Sequence, residues 1–340
     1  MQSMNSLERV RQTLDLKPAD RPPVLPQIYG WAAGLAGVRL RDYATDGLTI
    51  ARCQLGALAE FDHDGVFAVS DNSIEAEALG CRVEIPPDAY PYVREPCLKN
   101  PLQLDRLSPL DPEKDGRMPE ILKACRLLRE AVGRETLVLG NVLGPVTVAG
   151  QTMGLERLLY LVADDPDGFR AVLDFAAAVT LSYARAQLKA GAHAAVVYEP
   201  SASPAVIPRS VFETFVRPVL QRVMAGLRAE GAFCRWLHIA GPTQSILPRY
   251  QEIGADLATF DYQVPVGAAL DLLPETCLIG NLKPYLFING SEEEVAGEAG
   301  DLLSATAGRG GLILSSGCEI PLQARPENIR ALVRAVRDFR

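Results

Sequence analysis

Eight short apolar runs recur along the chain, and each stops at a polar or ionisable residue. The stops are Gln27 after residues 23–26, Asp71 after 66–70, Asn141 after 137–140 and Glu199 after 195–198. They continue with His238 after 234–237, Asp261 after 257–260, Asn281 after 277–280 and Cys318 after 312–317. Segments of helical periodicity separate most of the runs, so the pattern reads as a repeated βα unit. Eight such units predict an α/β chain closed into a (β/α)8 TIM barrel, whose chemistry sits at the carboxyl ends of the strands. That closure would gather the eight stopping side chains around one cavity. The runs are short and continuous rather than alternating, as strands buried on both faces require.

The segments around the repeat fit one domain over residues 1–340. Asn5 followed by Glu8, with Leu7, Val10 and Leu14 on one face, predicts a helix ending before Asp20-Arg21-Pro22-Pro23, so residues 1–22 form a helical extension. Prolines 86, 87, 91, 96, 101, 109 and 112 leave little room for a helix across 80–115. This stretch is expected as an insertion after the second strand that walls the barrel mouth. Ser210 with Glu213, and Ser291 with Glu294, have capping-box spacing. Ile329, Leu332, Val333 and Val336 predict a closing helix with one apolar face. A doubly wound sheet is the rival architecture, but no strand-linked GxGxxG or GxxxxGK[ST] supplies its phosphate loop.

A formal charge of -8 argues against nucleic acid, which calls for a basic face. No apolar run is long enough for a membrane span, and the first residues lack a charged segment leading into an apolar one. A cytoplasmic protein is expected. Seven cysteines without a CxxC form neither a disulfide framework nor a finger-type metal motif, and only Cys318 stands at a strand end.

Among the stops, His238 offers an imidazole suited to metal ligation, hydrogen bonding or general base chemistry near neutral pH. His193 precedes its strand and belongs to the stability face of a barrel, while His63, between Asp62 and Asp64, is expected in a solvated loop. Cys318 could bind zinc, act as a nucleophile or fill a tight strand end. Asp71, Glu199 and Asp261 are three carboxylates; in a dry pocket, desolvation and mutual repulsion would raise the pKa of at least one. Gln27, Asn141 and Asn281 both donate and accept, which suits a heterocycle with adjacent donor and acceptor edges.

Several words of the chain are familiar together. They are Ser6-Leu7-Glu8-Arg9-Val10, Phe67-Ala68-Val69-Ser70-Asp71 with Glu75-Ala76-Glu77-Ala78-Leu79-Gly80, and Gly144-Pro145-Val146-Thr147-Val148-Ala149-Gly150. Glu199-Pro200-Ser201-Ala202-Ser203, Ile279-Gly280-Asn281-Leu282-Lys283-Pro284, and Ser316-Gly317-Cys318-Glu319-Ile320-Pro321 with Pro326-Glu327-Asn328-Ile329 complete the set. In this order, over nearly the whole chain, they resemble the uroporphyrinogen decarboxylase superfamily and, within it, the branch of methylcobamide and corrinoid methyltransferases.

The decarboxylase branch grips porphyrinogen carboxylates with an arginine-rich N-terminal loop and places a histidine near the last strand end. Asp71 matches its aspartate, but residues 26–34 hold no arginine and Cys318 stands in the histidine's place. Zinc methyltransferases use a His-x-Cys pair plus a distant Cys to activate a thiol such as coenzyme M. The matching positions are His238, Ala240 and Cys318, so the middle ligand is absent. Zinc is therefore not expected; were it present, His238 and Cys318 would hold it. What the resemblance implies is a methyltransferase that moves a methyl group, without zinc, between a corrinoid (cobalamin) protein and tetrahydrofolate. His238, Asp261 and Glu199 would be its catalytic residues, with Asp71, Asn141, Asn281, Gln27 and Cys318 binding the small-molecule substrate. The alternatives are a zinc-dependent thiol methyltransferase, and a tetrapyrrole-binding protein akin to the decarboxylase.

Overall fold

The computed structural model describes residues 3–107 and 110–339. Residues 1–2 of the expected extension, and Pro109 of the expected insertion, lie outside the described residues. The strands in chain order are β1 (Gly65–Ala68), β2 (Arg82–Glu84), β3 (Tyr92–Glu95), β4 (Leu137–Leu143) and β5 (Ala194–Tyr198). After them come β6 (Trp236–His238), β7 (Leu257–Thr259), β8 (Cys277–Leu282) and β9 (Leu312–Ser316). Seven of these form one parallel sheet in the order β1-β4-β5-β6-β7-β8-β9, with helices on every crossover.

The first apolar run supplies the eighth stave. Val24 bridges Leu314 in parallel, Leu25 donates to the Leu314 carbonyl at 2.8 Å, and Leu314 donates back to Pro23 at 2.9 Å. On its other side Asp64 N–H donates to the Val24 carbonyl at 2.8 Å, so the curled sheet closes between β9 and β1. The eight runs of the sequence are thus the eight staves of a TIM-barrel-like α/β fold.

An ion cluster holds this seam. Asp64 is fully buried; it accepts from Arg9 at 2.6 Å, from Arg21 at 2.8 Å and from the Val24 N–H at 2.7 Å. Arg9 comes from the expected helix, Ser6–Leu14, which starts with an Asn5/Glu8 capping box and so ties the extension to the barrel floor. The same packing buries His63, which was expected in solvent. Burial pushes its imidazole down to about 4, with the Asp64 charge opposing.

The Ser291/Glu294 capping box is present at the start of Glu292–Thr306. The Ser210/Glu213 box does not form. Pro208 occupies the cap position of Arg209–Val211, and the Glu213 carboxylate is taken by Arg249 at 2.7 Å and Arg217 at 3.0 Å. The closing helix Pro326–Asp338 buries Ile329, Leu332, Val333 and Val336, as its periodicity requires.

Inside the barrel, Phe67 of β1 and Trp236 of β6 come from strands that are not neighbours, yet their ring centroids lie 6.3 Å apart. They meet through the interior and plug it. Side chains two residues further along a strand face the same way, so His238 lies one layer above this plug, at the carboxyl end. Residues 80–115 hold the antiparallel β2–β3 hairpin and the turn Pro101–Arg106. Among the described residues no helix is long and apolar enough to cross a membrane.

Candidate functional site

His238 and Tyr198 are register partners on β6 and β5, and their rings stack at 4.2 Å with 20° between planes. The Tyr198 hydroxyl lies 2.8 Å from Cys318 Sγ, so the stop residues of the fifth and eighth staves meet around one tyrosine. His238 is fully buried. Its Nδ1 is 3.1 Å from the Thr259 hydroxyl, and its Nε2 has no hydrogen-bond partner. Burial alone pushes the imidazole down to about 3, so the ring is neutral at physiological pH. Burial likewise raises the Cys318 thiol, with the Tyr198 hydroxyl opposing.

Asp261 and Asn281 form the adjoining wall. Asp261 accepts from Gly241 N–H at 2.8 Å and Gln263 N–H at 2.9 Å. Gly241 has φ +92, a left-handed conformation that glycine adopts without strain, and this turns its N–H toward the carboxylate. The Asn281 amide nitrogen donates to the Asp261 and Val264 carbonyls, both at 3.1 Å. Its donor is therefore spent, and the pair presents acceptors.

Asp71 lies at the end of the second stave in an ion pair. Arg117 donates to it at 2.6 Å and also reaches Glu77 at 2.6 Å and the Ala44 carbonyl at 3.0 Å. Ser70, Ser73 and the Ser73 N–H complete the shell. Asn141 shares a small cavity with Asp71, Glu75 and Tyr183, and its Oδ1 has no partner. Its backbone is bracketed by Gln187, which accepts from its N–H and donates to its carbonyl, both at 2.8 Å.

Two expected site residues are held in the framework. Gln27 donates to the Ser316 carbonyl at 3.0 Å and accepts from the Tyr29 hydroxyl at 3.3 Å, fastening the first stave to β9. Glu199 accepts from Val146 and Thr147 N–H, both at 2.8 Å, and from the Thr147 hydroxyl. It caps the helix Pro145–Met153 from another strand, satisfying orphan donors of the first turn. A side chain at Gly144 would collide with this carboxylate, which explains the glycine. Burial pushes Glu199 up to about 7, its three donors opposing.

Glu319 lies one residue beyond Cys318, the last of the eight stops. Its carboxyl is buried against the hydroxyl of Tyr90, which also accepts from Gly30 N–H at 2.9 Å. Tyr90 belongs to the 80–115 stretch, so that stretch reaches the carboxyl end of the barrel beside Cys318. Burial pushes Glu319 up to about 7, with Tyr90 opposing and the Asp71 charge adding. The native state thus holds this proton between about pH 4.5 and 7 while the unfolded chain releases it, so stability is lost as pH rises through that window. Glu319→Gln removes the linkage. Between pH 5 and 7 its stability should fall less steeply than the parent's, by up to about 1.4 kcal/mol per pH unit. Urea unfolding at pH 5, 6 and 7 reads the two slopes, and equal slopes would contradict the assignment.

The chain matches the family model described as uroporphyrinogen decarboxylase (URO-D) over residues 5–339. It is 30% identical over 287 residues to a methylated-thiol–coenzyme M methyltransferase of Methanosarcina mazei, covering 83% of this chain and 75% of that protein. It is 27% identical over 340 residues to the methylcobamide:CoM methyltransferase MtaA of Methanosarcina barkeri, covering 96% of each. Among solved structures, a methyltransferase from Methanosarcina mazei superposes with a TM-score of 0.91 at 23% identity, covering 99% of each chain, a likeness of fold.

Proposed function

Within the uroporphyrinogen decarboxylase family, to which this chain belongs, we propose that it is a corrinoid-dependent methyltransferase moving a methyl group between a methylcorrinoid protein and tetrahydrofolate without zinc. The carrying observation is the composition of the barrel mouth: one neutral imidazole with an unpartnered nitrogen, one thiol, and an acceptor-only wall of Asp261 and Asn281. The names of the relatives support methyl transfer from a corrinoid. When its partner is docked, the methylcorrinoid supplies an electrophilic methyl group on cobalt.

The chain's own residues would do the rest. A reduced pterin presents a ring amine and amide N–H donors, and the lone pairs of Asp261 with the Asn281 carbonyl oxygen would receive them. Its amine nitrogen is a nucleophile without a Lewis acid, so the chain need only orient it and exclude water. His238, buried beside Tyr198, would stand next to the reacting atoms. Asp71, Asn141 and Cys318 would line the same mouth. Gln27 would keep the first stave in register, and Glu199 would keep the helix Pro145–Met153 in place.

Removing the Asp261 carboxylate leaves bound N–H donors unpaired, at a cost of about 1–3 kcal/mol. Asp261→Ala should weaken tetrahydrofolate binding by roughly one to two orders of magnitude, since about 1.4 kcal/mol is tenfold. Isothermal titration beside a melting curve is the check. Unchanged affinity in both Asp261→Ala and Asn281→Ala would remove the folate site from this wall. The second reading is a thiol acceptor, favoured by the coenzyme M relatives and by the closeness of His238 and Cys318. Titration with a thiol in place of the folate separates the two.

A further inference from the structure

The likeness to zinc-dependent thiol methyltransferases raises the question of whether this mouth suits a metal. Among the described residues no group of three or more His, Cys, Asp or Glu side chains is placed to hold one. Ala240 brings no ligand atom, and the Tyr198 hydroxyl occupies the near side of Cys318 Sγ. A structural or catalytic zinc takes three or four protein ligands. The residues present do not fit the ion.

They fit something else. The Trp236 indole can only donate, and its Nε1–H lies 2.8 Å from Thr259 Oγ1. That hydroxyl therefore accepts from the indole, and its own proton is left for its remaining partner, His238 Nδ1 at 3.1 Å. The opposite arrangement would give the hydroxyl two incoming protons and leave its own proton without an acceptor in a fully buried residue. A chain of donors thus runs from indole to hydroxyl to imidazole. In a neutral imidazole, one nitrogen accepting means that the other carries the hydrogen.

We propose that Trp236 and Thr259 are positioning residues that lock His238 in the Nε2–H tautomer, so that the imidazole presents a hydrogen-bond donor, not a metal-ligating lone pair, to an acceptor atom of the bound substrate. The fully buried Nε2, which has no hydrogen-bond partner within the protein, is the donor that such an atom would meet. A carbonyl, carboxylate or thiolate shares the required lone pair. The tautomer itself is independent of the acceptor assigned under the proposed function; only the identity of the atom that receives the donor rests on that reading.

The test is long-range 1H–15N correlation NMR on the uniformly 15N-labelled full chain. With three histidines in all, His63→Gln and His193→Gln variants identify the His238 signals. The expected pattern is a protonated Nε2 and an unprotonated Nδ1, unchanged after one equivalent of zinc chloride. Thr259→Val should lose that single pattern and Thr259→Ser should restore it, a distinction that general loosening of the barrel would not produce. A protonated Nδ1 in the parent protein, or loss of the Nε2 proton with retention of zinc through gel filtration, would overturn the proposal. So would an unaltered tautomer in a folded Thr259→Val. None of these readouts depends on turnover, so the outcome stands apart from the methyltransferase assay.

Discussion

Arg117→Met should destabilise the protein by about 3–5 kcal/mol, the largest loss expected from any single substitution described above. Arg117 is nearly buried, and its guanidinium neutralises Asp71, whose side chain is 1% exposed, together with Glu77. Methionine keeps much of the volume but leaves a carboxylate charged in a medium that solvates it poorly. The loss would therefore come from the stranded charge more than from the broken pair. Adding Asp71→Asn removes that charge, and the double variant should recover a large part of the deficit because the two positions touch and their effects do not add. Urea unfolding of the parent, the single and the double variant is the measurement. A double variant as unstable as the sum of its single changes would show that the pair is not the unit described here.

That ion pair also illustrates how far the sequence reaches. Asp71 was recognisable because it ends an apolar run, whereas Arg117 stands in the turn just before the helix Met118–Val132, 46 residues on, with no local pattern to mark its partner. The eight staves were legible for a simple reason: strands buried on both faces must be apolar throughout, and the chain interrupts them where they emerge. Even the first stave, held by a single bridge to β9, carried the signal. What alternation does to each stop was harder to read. His238 is in phase with Trp236 and faces the interior, while Glu199 follows Tyr198 out of phase and caps a helix instead. Glu319 adjoins Cys318 and was within reach of the same rule, one residue further on. Tyr198 was hidden inside a run, since a tyrosine reads as core until its hydroxyl is seen to meet Cys318. Thr259 was hidden likewise, because its importance lies in the two side chains that meet at its hydroxyl. Ser210 and Glu213 show the converse: the spacing was right, but Arg217, four residues along, and Arg249, from a later helix, captured the carboxylate.

His238→Ala should slow methyl transfer by about 100- to 1,000-fold, the usual cost of removing one preorganised donor from a dry reaction site. The imidazole is neutral and fully buried, so it contributes a fixed dipole rather than a titrating charge. Its removal leaves a cavity beside Tyr198, and a melting curve distinguishes a destabilised barrel from an intact one that has lost its donor. A kcat effect with substrate affinity preserved is the signature of an interaction made mainly in the transition state. The assay that carries this comparison also tests the central claim most directly: methylcobalamin is mixed with tetrahydrofolate, with and without the purified protein, and loss of the cobalt–methyl absorbance is followed together with formation of methyltetrahydrofolate. The account predicts transfer that depends on the parent protein and is reduced at least about 100-fold in His238→Ala. No protein-dependent transfer to tetrahydrofolate would contradict it, and transfer to a thiol alone would reassign the acceptor.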